Sequence, residues 1–219
     1  MFKACIFDLD GTLADSVESI AYSANRALQE YGFKPNPVES YKEFAGDGAD
    51  EMLRRSLLAA GDNKLEYFEQ VKLKYRELFA KDCMYQVKPY EGIEELLKEL
   101  KDKNIKIAVL SNKPHDRAVD VVESMFGRDY FDIIIGQSKH INRKPSPDGA
   151  LIIADELGLL TNECIYIGDT NTDMITGKAA NMFTVGVTWG FREREELEEN
   201  NADYIIDTPL QLLEIEDIQ

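Results

Sequence analysis

Short apolar runs rich in β-branched residues recur along the chain and predict the strands of a buried sheet. Most runs are apolar at consecutive rather than alternate positions, as expected for strands that are covered on both faces. The runs lie at Lys3–Phe7, Lys106–Leu110, Asp132–Ile135, Cys164–Ile167 and Met182–Val187, and a weaker run at Tyr204–Ile206 is typical of an edge strand.

Helical patterns fill most of the gaps between the later runs. They cover Gly92–Lys103, Arg117–Met125, Pro147–Leu157 and Asn171–Ala180. Strands that alternate with helices indicate a parallel, doubly wound sheet, so we predict an α/β fold.

A stretch without a convincing strand interrupts this alternation after the first run and predicts a helical insertion. Apolar residues recur there at helical spacing behind a cap at Asp15 and Ser16, and Gly32 ends the pattern. We therefore predict two domains, a core and an inserted helical cap. The predicted ranges are 1–14 and 84–219 for the core and 15–83 for the cap, with cap helices over 17–31, 49–60 and 64–80.

Charge narrows the classes of partner. The formal net charge of the 219-residue chain is -16, which argues against binding to nucleic acid or to an anionic membrane, because both depend on Lys and Arg. The same charge repels a phosphorylated substrate at long range. A phosphate site in this chain therefore requires a local cluster of donors and a metal ion.

The cysteine pattern favours a reducing cytoplasm. Cys5 and Cys164 lie inside apolar runs and Cys83 stands apart, so no disulfide framework or metal-ligand spacing is visible. The first apolar run is interrupted too early to be a signal peptide, and no run has the length of a membrane span. We predict a cytoplasmic protein, and the sequence leaves open a monomer or a homodimer.

Polar residues follow the predicted strands at the positions where ligands bind in this class of sheet. Carboxyl ends of neighbouring strands open on one crevice, so residues remote in sequence meet there. The candidates are Asp8 and Asp10 after the first run, Ser111 and Asn112 after the second, and Asp169 and Asp173 after the fourth.

The segment Asp8-Leu9-Asp10-Gly11-Thr12 offers two carboxylates suited to phosphoryl transfer. One carboxylate can attack phosphorus, while the other protonates the leaving oxygen and later activates water. Gly11 permits the sharp turn that follows. The alternative is a polar loop with an aspartate helix cap.

Several carboxylates at one crevice repel each other and need a cation. Mg²⁺ suits oxygen ligands and a substrate phosphate, so we predict Asp8, the backbone carbonyl of Asp10 and Asp169 as its ligands. Asp173 lies one helical turn beyond Asp169 and either supports the metal or orients a lysine. The alternative for this segment is a helix cap made by Thr170 or Asn171, and both interpretations are compatible.

Two further segments provide donors for a phosphate. Ser111 and Asn112 offer a hydroxyl and backbone amides at a strand end, although such residues are also ordinary turn formers. Lys144 precedes a helix that begins near Ser146 and Pro147, where its charge can neutralise a transferring phosphoryl group and the nucleophile. The alternative for Lys144 is a solvated surface lysine.

Together, these segments resemble the ordered motifs of the haloacid dehalogenase superfamily along the whole chain. The matching residues are Asp8-Leu9-Asp10-Gly11-Thr12, Ser111-Asn112, Lys144 and Gly168-Asp169-Thr170-Asn171-Thr172-Asp173. The resemblance implies a Rossmann-like core with an inserted cap, Asp8 as nucleophile and Asp10 as general acid/base. It also implies Ser111 and Lys144 on the phosphate, Asp169 on Mg²⁺, and Gly11 and Thr12 as further substrate-binding candidates. We include Asp173 among the metal-site candidates.

Other segments narrow the resemblance. Asp10 favours phosphoryl transfer, because dehalogenases of this superfamily do not need it as acid/base. Phe44–Ala49 and Gly186–Phe191 resemble segments of phosphoglycolate phosphatases. This implies a small phosphorylated metabolite, with 2-phosphoglycolate as the expected substrate, and contacts to it from Gly46, Asp47 and Gly48. The alternative for this loop is a helix N-terminus with Asp47 as cap.

The motifs leave rival functions open. A phosphomutase of the β-phosphoglucomutase type shares the nucleophile and the acid/base, and pyrophosphatases have similar segments. A non-catalytic binding module on the same fold is disfavoured, because it has no need to keep both Asp8 and Asp10.

Overall fold

The computed structural model describes residues 1–216 of the chain. Residues 217–219, which complete the predicted core range, lie outside the described residues. The chain forms two compact units. One contains Met1–Ala14 and the chain from Pro89 onward, and the other is Asp15–Lys88. Tyr85, which follows the predicted cap range of 15–83, stacks on Tyr22 within the second unit with ring centroids 4.1 Å apart.

Within residues 1–216 the strands form a six-stranded sheet and a two-stranded pair. The larger sheet has the order β5-β4-β1-β6-β7-β8, and its neighbours pair in parallel. The strands are β1 Ala4–Phe7, β2 Ala14–Asp15, β3 Lys88–Pro89, β4 Lys106–Pro114, β5 Ile133–Gln137, β6 Cys164–Gly168, β7 Phe183–Val187 and β8 Tyr204–Ile206.

Helices connect the strands of the large sheet and also build the second unit. They are α1 Val17–Glu30, α2 Ser40–Phe44, α3 Ala49–Ala59, α4 Phe68–Asp82, α5 Ile93–Asp102, α6 His115–Phe126, α7 Asp148–Glu156, α8 Asn171–Ala179 and α9 Arg194–Glu199. Helices α5 to α8 contact the sheet. The predicted α/β fold with a doubly wound, Rossmann-like parallel sheet is therefore confirmed.

Strand β1 forms the centre of the core. It pairs with β4 on one side and β6 on the other, with Ala4 opposite both Lys106 and Cys164. Ala4, Cys5 and Ile6 have no exposed surface. This position explains the continuous apolar run, because each face of the strand is covered by protein.

Strand β4 is longer than the sequence predicts. The apolar run ends at Leu110, but the strand continues to Pro114 with an irregular register between those residues. An irregularity of this kind bends a strand and redirects its side chains. Polar residues that we expected beyond the strand therefore lie within its last part.

The second unit consists of α1 to α4, which contact one another. Helix α2 was not predicted, since a helix over Ser40–Phe44 is too short to show a periodic pattern. Helix α4 begins at Phe68 and not at 64, because the carboxylate of Asp62 accepts the backbone N–H groups of Glu66 and Tyr67 in a preceding turn. No helix within residues 1–216 is long and apolar enough to cross a membrane.

Candidate active site

The carboxylates that follow β1 and β6 meet at one edge of the sheet. Ligand oxygens of Asp8, Asp169 and Asp173 lie within 4.8 Å of one another, and all three residues are buried. β1 lies between β4 and β6, so this edge is the point where the strand order reverses direction. Ligands bind at such switch points in open α/β sheets.

Lys144 lies between two of these carboxylates. Its Nζ is 2.8 Å from Asp8 Oδ1 and 2.7 Å from Asp173 Oδ1. Its side chain is 3% exposed, so Lys144 is a buried site residue and not a solvated one. Burial alone lowers the pKa of Lys144, but Asp173 and Asp8 together raise it well above its usual value. The ammonium group therefore stays charged beside the predicted nucleophile.

Asn112 fixes the backbone of Lys144 through a reciprocal pair of hydrogen bonds. Its Nδ2 donates to the Lys144 carbonyl at 3.1 Å, and its Oδ1 accepts the Lys144 N–H at 2.9 Å. The Asn112 side chain thus connects β4 to the lysine loop, and contact of Asn112 with a substrate stays a prediction. This arrangement assigns the Asn112 amide to holding Lys144 in place.

Asp173 has hydrogen bonds at both carboxylate oxygens. Oδ1 accepts from Lys144 Nζ, while Oδ2 accepts from Thr170 N at 3.1 Å and Thr170 Oγ1 at 2.7 Å. The contacts with Thr170 form a capping box at the start of α8. Asp173 therefore contacts the lysine and also bonds Thr170, the N-cap residue that the alternative interpretation of this segment names. Direct metal binding by Asp173 stays a prediction.

Asp169 is held by neutral donors. Thr12 Oγ1 donates to its Oδ1 and Phe191 N donates to its Oδ2, both at 2.8 Å. Burial raises the pKa of Asp169 to about 7, and the charge of Asp173 adds to the effect. Thr12 has no exposed surface and its hydroxyl donates to Asp169, while contact of Gly11 and Thr12 with a substrate stays a prediction.

Two glycines allow backbone to approach the Asp169 carboxylate. A Cβ on Gly11 would lie 2.2 Å from Asp169 Oδ2, and Gly11 also has a φ of +90°. A Cβ on Gly190 would lie 2.3 Å from Asp169 Cβ and 2.4 Å from the Gly11 carbonyl oxygen. Only glycine fits at these contacts. The loop after β7 is therefore part of the site, although we did not predict it.

Asp10 is paired with a lysine that our sequence analysis missed. Lys113 Nζ lies 2.7 Å from each oxygen of Asp10. Lys113 follows Ser111 and Asn112 directly, and this adjacency was the available signal. We missed it because a single lysine after a strand end carries no distinctive spacing.

Ser111 lies in the last part of β4. The residue is 4% exposed, and its hydroxyl accepts the backbone N–H of Lys113 at 3.2 Å. Ser111 also lines a small crevice together with Asn112, Arg143 and Lys144. Polar residues of β4 and of the loop before α7 thus line one crevice, and contact of Ser111 with a phosphate stays a prediction.

The predicted substrate loop lies in the second unit, before α3. Gly48 occupies the N-cap position with a φ of 88°, and no side chain caps the helix there. Asp47 instead pairs with Arg55 at 2.5 Å, so the interpretation of Asp47 as a helix cap is wrong. Contact of Gly46, Asp47 and Gly48 with a substrate stays a prediction.

The donor set fits a divalent cation that prefers oxygen. Burial raises the pKa of Asp8 well above its usual value, with the charges of Asp173 and Asp169 adding to the effect and that of Lys144 opposing it. Burial disfavours the ionised form of these clustered carboxylates. A hard cation such as Mg²⁺ stabilises that form by binding the carboxylate oxygens. Asp8 and Asp169 are the residues that suit direct ligation.

Known proteins resemble the chain over most of its length. The family model for haloacid dehalogenase-like hydrolases matches residues 5–187. A phosphoglycolate phosphatase from Neisseria meningitidis is 32% identical over 209 residues, covering 93% of this chain and 89% of that protein. One from Haemophilus influenzae is 30% identical, covering 98% of each chain. The crystal structure of a candidate phosphoglycolate phosphatase from Lactobacillus delbrueckii subsp. bulgaricus superposes with a TM-score of 0.90 at 31% identity, covering 97% of both chains.

Proposed function

We propose that this chain, which belongs to the haloacid dehalogenase-like hydrolase family, transfers a phosphoryl group from a small phosphate ester to Asp8 and then to water. The relatives identify the chain as a phosphoric monoester hydrolase. The observation that carries the mechanism is the buried carboxylate of Asp8, with the Lys144 ammonium 2.8 Å from its Oδ1.

The first step forms a phosphorylated enzyme. An oxygen of Asp8 attacks phosphorus, and the bond between phosphorus and the ester oxygen breaks. Asp10 gives its proton to that oxygen, so the alcohol leaves neutral. Lys144 keeps its charge beside Asp8 and offsets the negative charge of the transferring group.

The second step restores the enzyme. Asp10, now a carboxylate, removes a proton from water, and the hydroxide oxygen attacks phosphorus. The bond between phosphorus and Asp8 breaks, inorganic phosphate leaves, and both aspartates return to their starting forms. When bound, Mg²⁺ supplies charge that screens the phosphate from the carboxylates, with Asp8, the Asp10 carbonyl and Asp169 as its proposed ligands.

The best candidate substrate is 2-phosphoglycolate. Its support is the name shared by relatives near 30% identity that span nearly the whole chain. The sequence resemblance of Phe44–Ala49 and Gly186–Phe191 to phosphoglycolate phosphatases points the same way.

A direct experiment measures phosphate release. Purified protein with Mg²⁺ is expected to release phosphate from 2-phosphoglycolate with a higher kcat/KM than from β-glucose 1-phosphate or pyrophosphate. Asp8→Asn should abolish release while the thermal unfolding transition persists, because an amide cannot replace the nucleophile. Asp10→Asn should slow turnover by about 10²–10⁴-fold.

The outcome separates the rival functions. A phosphomutase returns the phosphoryl group to a sugar phosphate and releases little free phosphate, whereas a binding module releases none. Preference for another ester would overturn the substrate proposal alone. Full activity of Asp8→Asn would overturn the mechanism. The cytoplasmic location and the choice between monomer and homodimer stay predictions.

A further inference from the structure

We propose that Lys113 is a positioning residue that holds the carboxylate of Asp10 in the orientation needed for proton transfer. This inference rests on the proposed function, in which Asp10 is the general acid/base. Lys113 lies in the last part of β4, and neither the family model nor the relatives' names assign it a role.

The contact between the two side chains is symmetric. Lys113 Nζ lies 2.7 Å from Oδ1 and 2.7 Å from Oδ2 of Asp10. A carboxylate held at both oxygens by one donor group cannot rotate about its terminal bond without losing one of these charge-assisted hydrogen bonds. The ammonium therefore sets the plane of the Asp10 carboxylate, and when Asp10 carries the proton for the first step the ammonium keeps its hydrogen bond to the oxygen without the proton.

Lys113 is itself well fixed. Its side chain is 3% exposed, against 18% for Asp10, so the lysine is the more enclosed partner. Its backbone N–H donates to Ser111 Oγ at 3.2 Å within the irregular end of β4. A lysine held in this way acts as a support for the more exposed aspartate.

Neighbouring residues of β4 thus serve different halves of the site. Asn112 holds the backbone of Lys144, whose ammonium contacts Asp8. Lys113, the next residue, holds the side chain of Asp10. The end of β4 therefore orients both Lys144, which contacts the nucleophile, and Asp10, which is the acid/base.

The chemical consequence depends on the leaving group. In the first step Asp10 transfers its proton to the ester oxygen as the bond to phosphorus breaks, and this help matters most when the departing oxyanion is unstable. An alkoxide needs the proton, whereas p-nitrophenolate is stable without it. Loss of the Asp10 orientation should therefore harm alkyl phosphates selectively.

The decisive variant is Lys113→Met, which keeps a similar length and removes the ammonium. We expect kcat/KM for 2-phosphoglycolate and ethyl phosphate to fall on the order of 10²-fold, the usual cost of a misplaced catalytic group. The loss for p-nitrophenyl phosphate should be clearly smaller. Lys113→Arg, whose guanidinium can also donate to both oxygens, should recover part of the alkyl phosphate activity.

A double-mutant cycle tests whether Lys113 acts through Asp10. Adding Lys113→Met to Asp10→Asn should cause little further loss, since the group that Lys113 positions is already disabled. The matched control is Lys106→Met at the opposite end of β4, where the lysine pairs with Asp132 at 2.7 Å. That variant loses the same charge and should keep wild-type kinetics, with thermal unfolding measured for every protein.

Results that differ from these expectations overturn the inference. Equal losses for alkyl and p-nitrophenyl phosphates indicate a purely structural role, and additive losses in the cycle indicate action independent of Asp10. A loss for 2-phosphoglycolate without one for ethyl phosphate indicates that Lys113 binds the substrate carboxylate. If wild-type protein releases no phosphate from any ester, the proposed function fails and this inference fails with it.

Discussion

Asp173 shows how one side chain can serve both the fold and the site. One oxygen contacts Lys144, and the other accepts two hydrogen bonds from Thr170 at the start of α8. A Cβ on Gly168 would lie 2.3 Å from Asp173 Cβ, so the strand that precedes the helix leaves little space for movement. The lysine is therefore positioned by the rigid start of a helix.

Asp173→Asn should reduce turnover while keeping the fold. The asparagine oxygen can still accept from Thr170, but its NH₂ group would face the Lys144 ammonium with donor against donor. We expect kcat to fall roughly 10–100-fold, the typical cost of removing a partner that orients a site residue. Steady-state kinetics and thermal unfolding of the variant check this.

A second capping residue provides the control for Asp173. Gln211 Oε1 accepts the backbone N–H groups of Asp207 and Thr208 at 2.7 and 3.0 Å, in a capping box that involves no lysine. Gln211→Ala should lower stability slightly and leave kcat unchanged. Unchanged kcat in Asp173→Asn would contradict the orienting role.

For individual residues, the sequence indicates which charged side chains belong to the site better than it indicates which residues contact them. Asp8, Asp169 and Lys144 could be found because each belongs to a polar segment after a strand or before a helix. The contact of Lys113 with Asp10 joins residues 103 positions apart, and no local pattern encodes it. Likewise, no propensity signals that Asn112 bonds the backbone of Lys144.

At the scale of elements, the loop after β7 contributes to the site mainly through its backbone. Phe191 N donates to Asp169, and Trp189 Nε1 donates to the Thr12 carbonyl at 3.0 Å. Trp189 and Phe191 have apolar side chains, which are typical of packing residues. A backbone N–H and a close-approach glycine have no side-chain signature, which explains why the loop was not predicted.

Gly190→Ala should disable the site more than it harms the fold. Its new methyl group would collide with Asp169 and with the Gly11 carbonyl, forcing the carboxylate from its place. We expect a loss of kcat on the order of 10²-fold, as for other displaced site groups. The affinity of the variant for Mg²⁺, measured by calorimetry, should fall together with kcat.

The neighbouring strand supplies a matched glycine. The atoms nearest to a Cβ on Gly186 in β7 would belong to the Leu197 side chain, at 3.0 Å or more. Gly186→Ala should therefore reduce stability modestly and keep both kcat and Mg²⁺ affinity. Similar kinetic losses in both variants would indicate a general effect of disturbing β7, and not a specific collision with Asp169.

Element boundaries were predictable where an apolar run and a structural end coincide. β8 covers Tyr204–Ile206 as expected at the sheet edge, and α3 ends one residue from its expected limit. β4 exceeds its apolar run, because its last residues remain paired through an irregular register while carrying polar side chains. In β4 the change from apolar to polar side chains therefore does not mark the end of the strand.

For the whole molecule, the alternation of strands with helices was enough to predict the core. Parallel strands need long crossovers, and the gaps between the later runs have the length and periodicity of such helices. The strand order was not predictable from periodicity, since it depends on which runs pair across the sheet. The central position of β1 is consistent with its apolar residues but is not encoded by them alone.

The buried carboxylates lead to a prediction for the stability of the whole protein. Asp169 has its pKa raised from 3.8 to about 7 by burial, so without a cation the folded protein holds a proton there that the unfolded chain releases. Stability from this group is fully present below the unfolded pKa and is lost as pH rises toward about 7. Asp8, whose pKa is also raised, acts with the same sign.

Metal binding should reverse this loss, because a divalent cation replaces the protons at the carboxylates. We expect the increase in Tm caused by Mg²⁺, relative to EDTA, to be small near about pH 5 and clearly larger near about pH 8, where protons no longer compete. Differential scanning calorimetry in matched buffers measures it. Asp169→Asn should show little increase at either pH, whereas Lys106→Met should behave as wild type, since its ion pair with Asp132 lies at the other end of β4. An increase in Tm that is independent of pH would contradict the assignment of these carboxylates to the cation.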